Sequence, residues 1–266
     1  MITSRDNRWL KRFRAALEGA PGKEEPCIGL EGPRLVEEAF RSGIGVEAVL
    51  VCDDGERHLA RLKTWMTPEV RLLRCSTVLF DSVAGTETPQ GIAALARPRQ
   101  FSLGDLLGDV PLVLVLAGVQ DPGNVGTLVR SAEAFGATGA VACHGTAHPL
   151  SPKALRASAG SALRLPLQAG VEAKSLLAHL RDAELRVFAA SLEGDLAPAE
   201  ADLTLPCALV IGNEAAGLPP ELDRAADARL RIPLAEGVDS LNAAVAGAVL
   251  LYEAARQRGK KVLRHG

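Results

Sequence analysis

The sequence predicts an α/β protein of two α/β layer units in series. Strand-like and helix-like stretches alternate from Cys27 to Ala96 and again from Leu112 to the C-terminal end. The stretch between them, from Arg97-Pro98-Arg99-Gln100 to Pro111, breaks that rhythm. Leu112 to Leu116 is an unbroken apolar run between Pro111 and Gly118, as expected of a strand buried on both faces. Alternation of this kind implies layered α/β architecture. With 266 residues, 47% hydrophobic and 23% charged, the chain is long enough for two modest cores. The expected boundaries are 1–98 for the first domain, 99–110 for a linker and 111–266 for the second.

Residues 3–17 predict a basic amphipathic helix with Trp9, Leu10, Phe13 and Leu17 on its apolar side, ended by Gly19-Ala20-Pro21-Gly22. Then come strand 27–30, helix 33–41, strand 46–52, a turn at Asp53-Asp54-Gly55, helix 56–65, strand 70–73, helix 77–83 and strand 92–96. The second series reads as strand 112–116, a loop Val119 to Asn124, a helix to Phe135, strand 139–143, helix 152–157, strand 163–167 and helix 173–182. Strands 186–190 and 208–211, a short helix from Pro220 and strand 230–232 follow. In the last helix Asp239 or Ser240 is the expected cap, so that it starts near Leu241. Leu241, Val245, Ala248, Val249 and Tyr252 form one stripe, and Ala243, Ala246, Gly247 and Leu250 leave the other side uncharged as well. A helix apolar all round is expected to be buried, and Gly247 suggests close approach of another backbone, from this chain or a second copy.

The balance of 30 Lys and Arg against 32 Asp and Glu gives a net charge of −2, with no global attraction to nucleic acid. Its distribution differs from the sum. Arg5, Arg8, Lys11, Arg12 and Arg14 stand at one end, and Arg256, Arg258, Lys260, Lys261 and Arg264 at the other, two basic patches able to meet phosphate. Five scattered cysteines without a C-x-x-C pair argue against a disulfide framework or zinc site and fit a reducing cytoplasm. No signal-peptide core or membrane-spanning run is visible, so a cytoplasmic protein with no membrane partner is expected.

Three strand-loop-helix junctions carry the polar residues: Gln120 to Gly126, Gly212 to Pro220, and Leu234 to Asn242. In open α/β sheets ligands bind beyond the carboxyl ends of the strands, which makes these loops the default site. Asn124 is a candidate cap, and Arg130, six residues on, has no place in the apolar stripe Val125, Leu128, Ala132, Phe135. Glu214 puts a carboxylate directly after a buried strand. Ser240 and Asn242 are about 200° apart around a helix, so a shared site needs Ser240 to act from the cap. No P-loop, dinucleotide fingerprint, Ser-His-acid arrangement or H-E-x-x-H is present, and His144 and His148 flank loop residues, so no metal is expected.

Asn124-Val125-Gly126-Thr127-Leu128-Val129-Arg130, Ile211 to Gly217, and Ile232-Pro233-Leu234 with Ser240-Leu241-Asn242 together resemble the three motifs of the SpoU (TrmH-like) class of SPOUT RNA 2'-O-ribose methyltransferases. The resemblance covers roughly 111–256, and Lys153 to Gly160 resembles the family's intermotif segment. Glu31 to Val36 and Gln90-Gly91-Ile92 resemble its N-terminal, ribosomal-protein-like RNA-binding domain, with Pro89 where many members have His. The resemblance implies a trefoil-knotted SPOUT catalytic domain, a homodimer, S-adenosylmethionine as cofactor and RNA as partner, ribosomal more than transfer RNA. It assigns catalysis to Asn124, Arg130, Glu214, Ser240 and Asn242. The cofactor falls to Ala190, Ser191, Gly212, Asn213, Ile232, Leu234 and Leu241. The RNA-contact candidates are Lys153 and Arg156 of the intermotif segment and, from the basic N-terminal patch, Arg8, Lys11 and Arg12. A guanidinium rarely deprotonates, so Arg130 is read as a phosphate or oxyanion partner and the base stays open. The competing class is a catalytically silent RNA-binding or ribosome-assembly protein on the same fold; the retained polar motif residues favour the enzyme.

Overall fold

The computed structural model describes residues 1–19, 27–214 and 216–259. The breaker at 20–22, Ala215 of the second loop, and Lys260, Lys261 and Arg264 of the basic tail lie outside the described residues. Two compact units emerge, one from Met1–Gln100 with Leu150–Arg164, the other from Phe101–Pro149 with Leu165–Gly266.

The first unit has a four-stranded sheet ordered β1 (Ile28–Glu31), β4 (Ile92–Arg97), β2 (Gly45–Val51), β3 (Arg71–Arg74). β4 runs antiparallel to both of its neighbours, and the edge strand β3 is parallel to β2. Helix α1 (Arg8–Leu17) is capped by Asn7, whose side chain accepts from Trp9 N–H. Its buried Leu10, Phe13, Ala16 and Leu17 pack on Ala48 and Leu50 of β2, Ala93 and Leu95 of β4, and Leu79 and Phe80 of α4 (Thr77–Asp81). The expected apolar side is therefore right except for Trp9, which is only half-buried. Helix α2 (Pro33–Arg41) starts at a proline where sequence placed it, and α3 (Glu56–Leu62) stops three residues short of Trp65.

The sequence placed 150–164 in the second domain, but this segment groups with the first unit. Helix α6 (Pro152–Ala157) contacts β1, burying Ala154 and Leu155, and Arg164 pairs with Glu38 of α2. A strand expected at 163–167 is instead a 3-10 turn at Ser161–Leu163, with the strand β7 following at Leu167–Val171. The positive φ of Ala159 and Gly160 turns the chain just before that stretch, and the turn runs on into it.

The second unit is a six-stranded, wholly parallel sheet ordered β10 (Ala228–Leu230), β8 (Arg186–Ala190), β9 (Cys207–Gly212), β5 (Leu112–Ala117), β6 (Gly139–Cys143), β7. All six residues of β5 are buried, as its apolar run predicts. One sheet face, with Val113, Val115, Val187, Ala208 and Val210, packs on Leu176, Leu177 and Leu180 of α7 (Ala173–Asp182) and Leu222 of α8 (Pro220–Ala225). On the other, α5 (Pro122–Ala134) and α9 (Ala243–Gln257) pack against each other and the strands. The expected linker is not free chain: Leu106 is buried in this core, with Phe101, Leu103 and Leu107 against it.

Helix α9 corrects two expectations. Its cap is Asn242, whose side chain accepts from Ala244 N–H (2.9 Å) and Val245 N–H (3.3 Å), so the helix starts at Ala243. In the single chain Val245, Val249 and Tyr252 are left 49%, 38% and 56% exposed. Gly247 answers to side chains rather than to a backbone, since a Cβ there would collide with Leu128 of α5 and lie 3.3 Å from Ile211 Cγ1. The tail arginines are also engaged: Arg256 pairs with Glu253, and Arg258 donates to the carbonyls of Leu203 (2.7 Å), Leu205 (2.7 Å), Val110 (2.9 Å) and Pro111 (3.0 Å).

Candidate active site

The carboxyl ends of β8, β9 and β10 open into a cavity of about 480 Å³. Its lining includes all seven cofactor candidates, Ala190, Ser191, Gly212, Asn213, Ile232, Leu234 and Leu241, together with Glu214 and Ser240. Apolar groups of Ile211, Leu218, Ala243 and Ala246 share its wall with these polar residues, a mixture that suits a ligand recognised partly by shape and partly by polar contacts. Gly212 sits where a side chain would not fit, because a Cβ would lie 2.7 Å from the Gly217 carbonyl oxygen. The loop is closed by reciprocal backbone bonds between Asn213 and Gly217 (2.9 and 3.0 Å). The Asn213 amide donates to Gly118 O (3.0 Å) and its oxygen accepts from Ala216 N–H (2.8 Å), so this side chain holds the loop.

Three polar candidates form a directional chain that reaches the cavity through its lining residue Glu214. The Asn242 oxygen is committed to the two helix-cap N–H groups, which leaves its amide to donate to Asn124 Oδ1 (3.1 Å). Asn124 then has only its own amide to offer, and donates it to Glu214 Oε1 (2.6 Å). Each amide can satisfy its partners in one orientation alone, so the helix cap sets the polarity of the chain. The second Glu214 oxygen accepts no hydrogen bond among the described residues.

Asn124 does not cap its helix. Asp121 does, accepting from Gly123 N–H (2.5 Å) and Asn124 N–H (3.1 Å), with Pro122 in the first turn. The Asp121-Pro122 pair carried that signal in the sequence, since proline is preorganised for the first helical position. Asn124 thereby becomes a first-turn residue whose side chain is released for the site. Arg130 is exposed and, among the described residues, has no carboxylate or hydrogen-bond partner. Ser240 lies in the exposed loop before α9 and lines the cavity from there, without acting as the cap. Glu193 and Asp223, unmarked in the sequence reading, also line the cavity, and Asp223 pairs with Arg229 at 2.8 Å.

The RNA candidates Arg8, Lys11, Arg12, Lys153 and Arg156 all fall in the first unit. Lys153 and Arg156 are exposed on α6, whereas Lys11 is paired with Asp6 and Arg12 with Glu47. Burial pushes the Cys75 and Cys143 thiols up to about 11. Burial also raises Cys207, against the opposing pull of Arg258. Among the described residues no group of three or more His, Cys, Asp or Glu is placed to hold a metal ion. No helix among them is long and apolar enough to cross a membrane.

Known proteins resemble this chain in both units. Residues 111–252 match the model of the SpoU rRNA Methylase family, and residues 23–94 match the MRM3-like substrate binding domain. The 23S rRNA (guanosine(2553)-2'-O)-methyltransferase RlmP of Bacillus subtilis is 34% identical over 223 residues, 84% of this chain and 86% of that protein. The SpoU methyltransferase AviRb of Streptomyces viridochromogenes, solved in complex with AdoMet, superposes with a TM-score of 0.84 at 26% identity, covering 95% of this chain and 98% of that one. An AdoMet-bound rRNA methyltransferase from Sinorhizobium meliloti gives 0.84 at 30% identity, covering 96% and 97%. The fold is thus that of the SPOUT methyltransferases, with a substrate-binding domain ahead of the parallel-sheet domain. Since the first match spans more than half of the chain and the likeness to RlmP extends over most of it, this chain belongs to the SpoU rRNA methylase family.

Proposed function

We propose that this protein is an RNA (ribose-2'-O)-methyltransferase that uses S-adenosylmethionine and acts on ribosomal RNA. The observation that carries the reading is that the cavity walled by the Gly212 and Leu234 loops is joined, at its lining residue Glu214, by the chain that runs from Asn242 through Asn124. When bound, S-adenosylmethionine supplies an electrophilic methyl group on a sulfonium.

The residues present fit that cofactor. Gly212 and its turn leave room that a Cβ would fill, and Ile232, Leu234 and Leu241 offer apolar surface. Ala190 and Ser191 complete the edge, while Asn213 holds the second loop in shape. For the RNA, the open Glu214 oxygen is an acceptor that can hold a ribose hydroxyl, with Asn124 and Asn242 preventing the carboxylate from turning away. Ser240 adds a hydroxyl at the rim. Arg130 remains available for a phosphate or a developing oxyanion. Its replacement, Arg130→Ala, is expected to lower methyl transfer about 100-fold with little change in S-adenosylmethionine affinity. Equal losses in both would place Arg130 in the cofactor pocket instead.

Three further readings belong to this proposal. The exposed stripe Val245, Val249, Tyr252, with Phe135 edge-on to Tyr252 at 5.7 Å, supports a homodimer that covers α9. Light scattering is expected to find a dimer, and a stable active monomer would exclude it. A trefoil knot in the second unit is proposed from the fold shared with the solved SpoU methyltransferases. The first unit selects RNA and the second holds the cofactor, and a ribosomal RNA substrate with five free thiols supports a cytoplasmic location.

The test is to map 2'-O-methyl groups in total RNA with and without the gene, and to assay the purified protein on unmethylated ribosomal RNA. One ribosomal position is expected to lose its methyl group and regain it in vitro. Loss of no position, with cofactor binding intact, would favour the silent RNA-binding reading.

A further inference from the structure

The basic N-terminal helix is divided by the structure into cations already engaged and cations still available. Arg12 is engaged by the Glu47 carboxylate, with Nη2 2.8 Å from Oε2, and Lys11 Nζ is 3.1 Å from Asp6. Arg8 is exposed and has no acidic partner among the described residues; its guanidinium carbon lies 5.7 Å from the Trp9 ring centroid. The sheet brings a second such residue to the same ring. Arg71, at the start of the edge strand β3, is exposed, lacks an acidic partner among the described residues and lies 5.6 Å from that centroid.

An indole face orients a guanidinium without neutralising it. Both cations therefore keep their charge and their forked donors for a planar anionic oxygen pair, the pattern that phosphate fits best. Lying within 5.7 Å of one centroid, the two are at most about 11 Å apart, a span of a few nucleotides at the ~3.4 Å axial rise per nucleotide of a strand. The unit that carries them has 18 Lys and Arg against 14 Asp and Glu, so the surrounding field favours a polyanion. Neither matched domain model includes α1, since they begin at residues 23 and 111.

We propose that Arg8 and Arg71, gathered by the half-buried Trp9, form a phosphate-contact site for a strand of the substrate RNA on the N-terminal unit. The inference rests on the reading that the substrate is RNA, and deepens it by naming the face that receives the strand. Arg12 belongs to this face only as the strut that fixes α1 to β2 through Glu47.

The chain has two tryptophans, so Trp65→Phe leaves Trp9 as the sole indole reporter in the full-length protein. Titration with poly(U) and with protein-free 23S rRNA is expected to change Trp9 fluorescence on binding. In a second arm, affinity is followed from about 50 to about 200 mM salt for the wild type and for the Arg8→Ala, Arg71→Ala double variant. Loss of two phosphate contacts lowers the single-strand salt slope by about 1.4, so the wild type should lose about sevenfold more affinity than the variant over that range. S-adenosylmethionine affinity, equal in all three proteins, serves as the check on folding. An unchanged salt slope with a silent Trp9 would overturn the site. A wild type that methylates ribosomal RNA yet shows neither response overturns this site alone. One that shows both responses but transfers no methyl group supports the site and overturns the activity.

Discussion

The two units carry opposite charge on one nearly neutral chain: 18 basic against 14 acidic residues in the first, and 12 against 18 in the second. The overall value of −2 hides a unit suited to a polyanion and another that holds chemistry among buried strands. Attraction to RNA is therefore expected to come chiefly from the N-terminal unit, through contacts weakened by salt. In the C-terminal unit the equivalent resource is precision: a cap, two amides and one carboxylate in fixed order. Substitutions in the two should separate cleanly, affinity and salt slope from one, turnover and cofactor binding from the other.

The largest effect should follow Gly212→Glu, because a side chain there meets the Gly217 carbonyl at the floor of the cavity. S-adenosylmethionine binding by calorimetry is expected to fall more than about 100-fold, equivalent to about 2.7 kcal/mol or more. RNA binding should keep its wild-type salt slope, and a parallel collapse of that slope would merge what the comparison separates. Next comes Asn124→Ala, which cuts the chain between Asn242 and Glu214. Turnover should drop about 100-fold while cofactor affinity moves only slightly, in line with removal of one preorganised group. An equal loss in both would mean that Asn124 supports the loops instead of the carboxylate.

A different readout applies to Arg258→Ala. Four carbonyls from the 110–111 and 203–205 segments would lose a charged donor, which should cost about 3 kcal/mol of stability, seen as a lower urea midpoint. The RNA salt slope should not move, although the sequence reading placed Arg258 in a phosphate-facing tail. A reduced slope would restore that reading.

Arg258 shows what kind of information the linear pattern lacked. Apolar runs and Pro or Gly punctuation are local, so β5, β6, α2, α7 and the sites of the three loops were legible, with ends within a few residues. The destination of a long charged side chain is a long-range property: carbonyls 53 and 147 positions away engage Arg258, and nothing in the tail announces it. The same limit affected α6, whose helix was read correctly but whose packing on β1 depends on where the chain travels. Caps failed for a subtler reason, because Asp121, Asn124, Ser240 and Asn242 are all capable caps and only the backbone path chooses among them. At Gly247 the close approach was legible, but not that the approaching group is the Leu128 side chain.

The smallest expected effect lies in the basic unit and concerns the strut beneath its proposed RNA face. The Arg12 guanidinium, by donating to Glu47, holds that carboxyl below its ordinary value, and Arg97 at 3.9 Å adds to the pull. A carboxyl depressed in the folded state contributes stability that is complete above its unfolded value of about 4.3 and is lost as pH falls through the lower folded value. The paired side chains are 40% and 21% exposed, so solvent screening limits the contribution to about 1 kcal/mol or less. Glu47→Gln should therefore melt slightly below the wild type near about pH 7, and the gap should close as both proteins are taken below about pH 4. A gap that persists in acid would mean that Glu47 acts through packing rather than charge. The same variant sharpens the comparison between units. Arg12 lies 4.8 Å from the Trp9 centroid, and freed from its carboxylate it becomes a third available cation beside Arg8 and Arg71. The RNA salt slope should then steepen by up to about 0.7, while S-adenosylmethionine affinity in the acidic unit stays where it was.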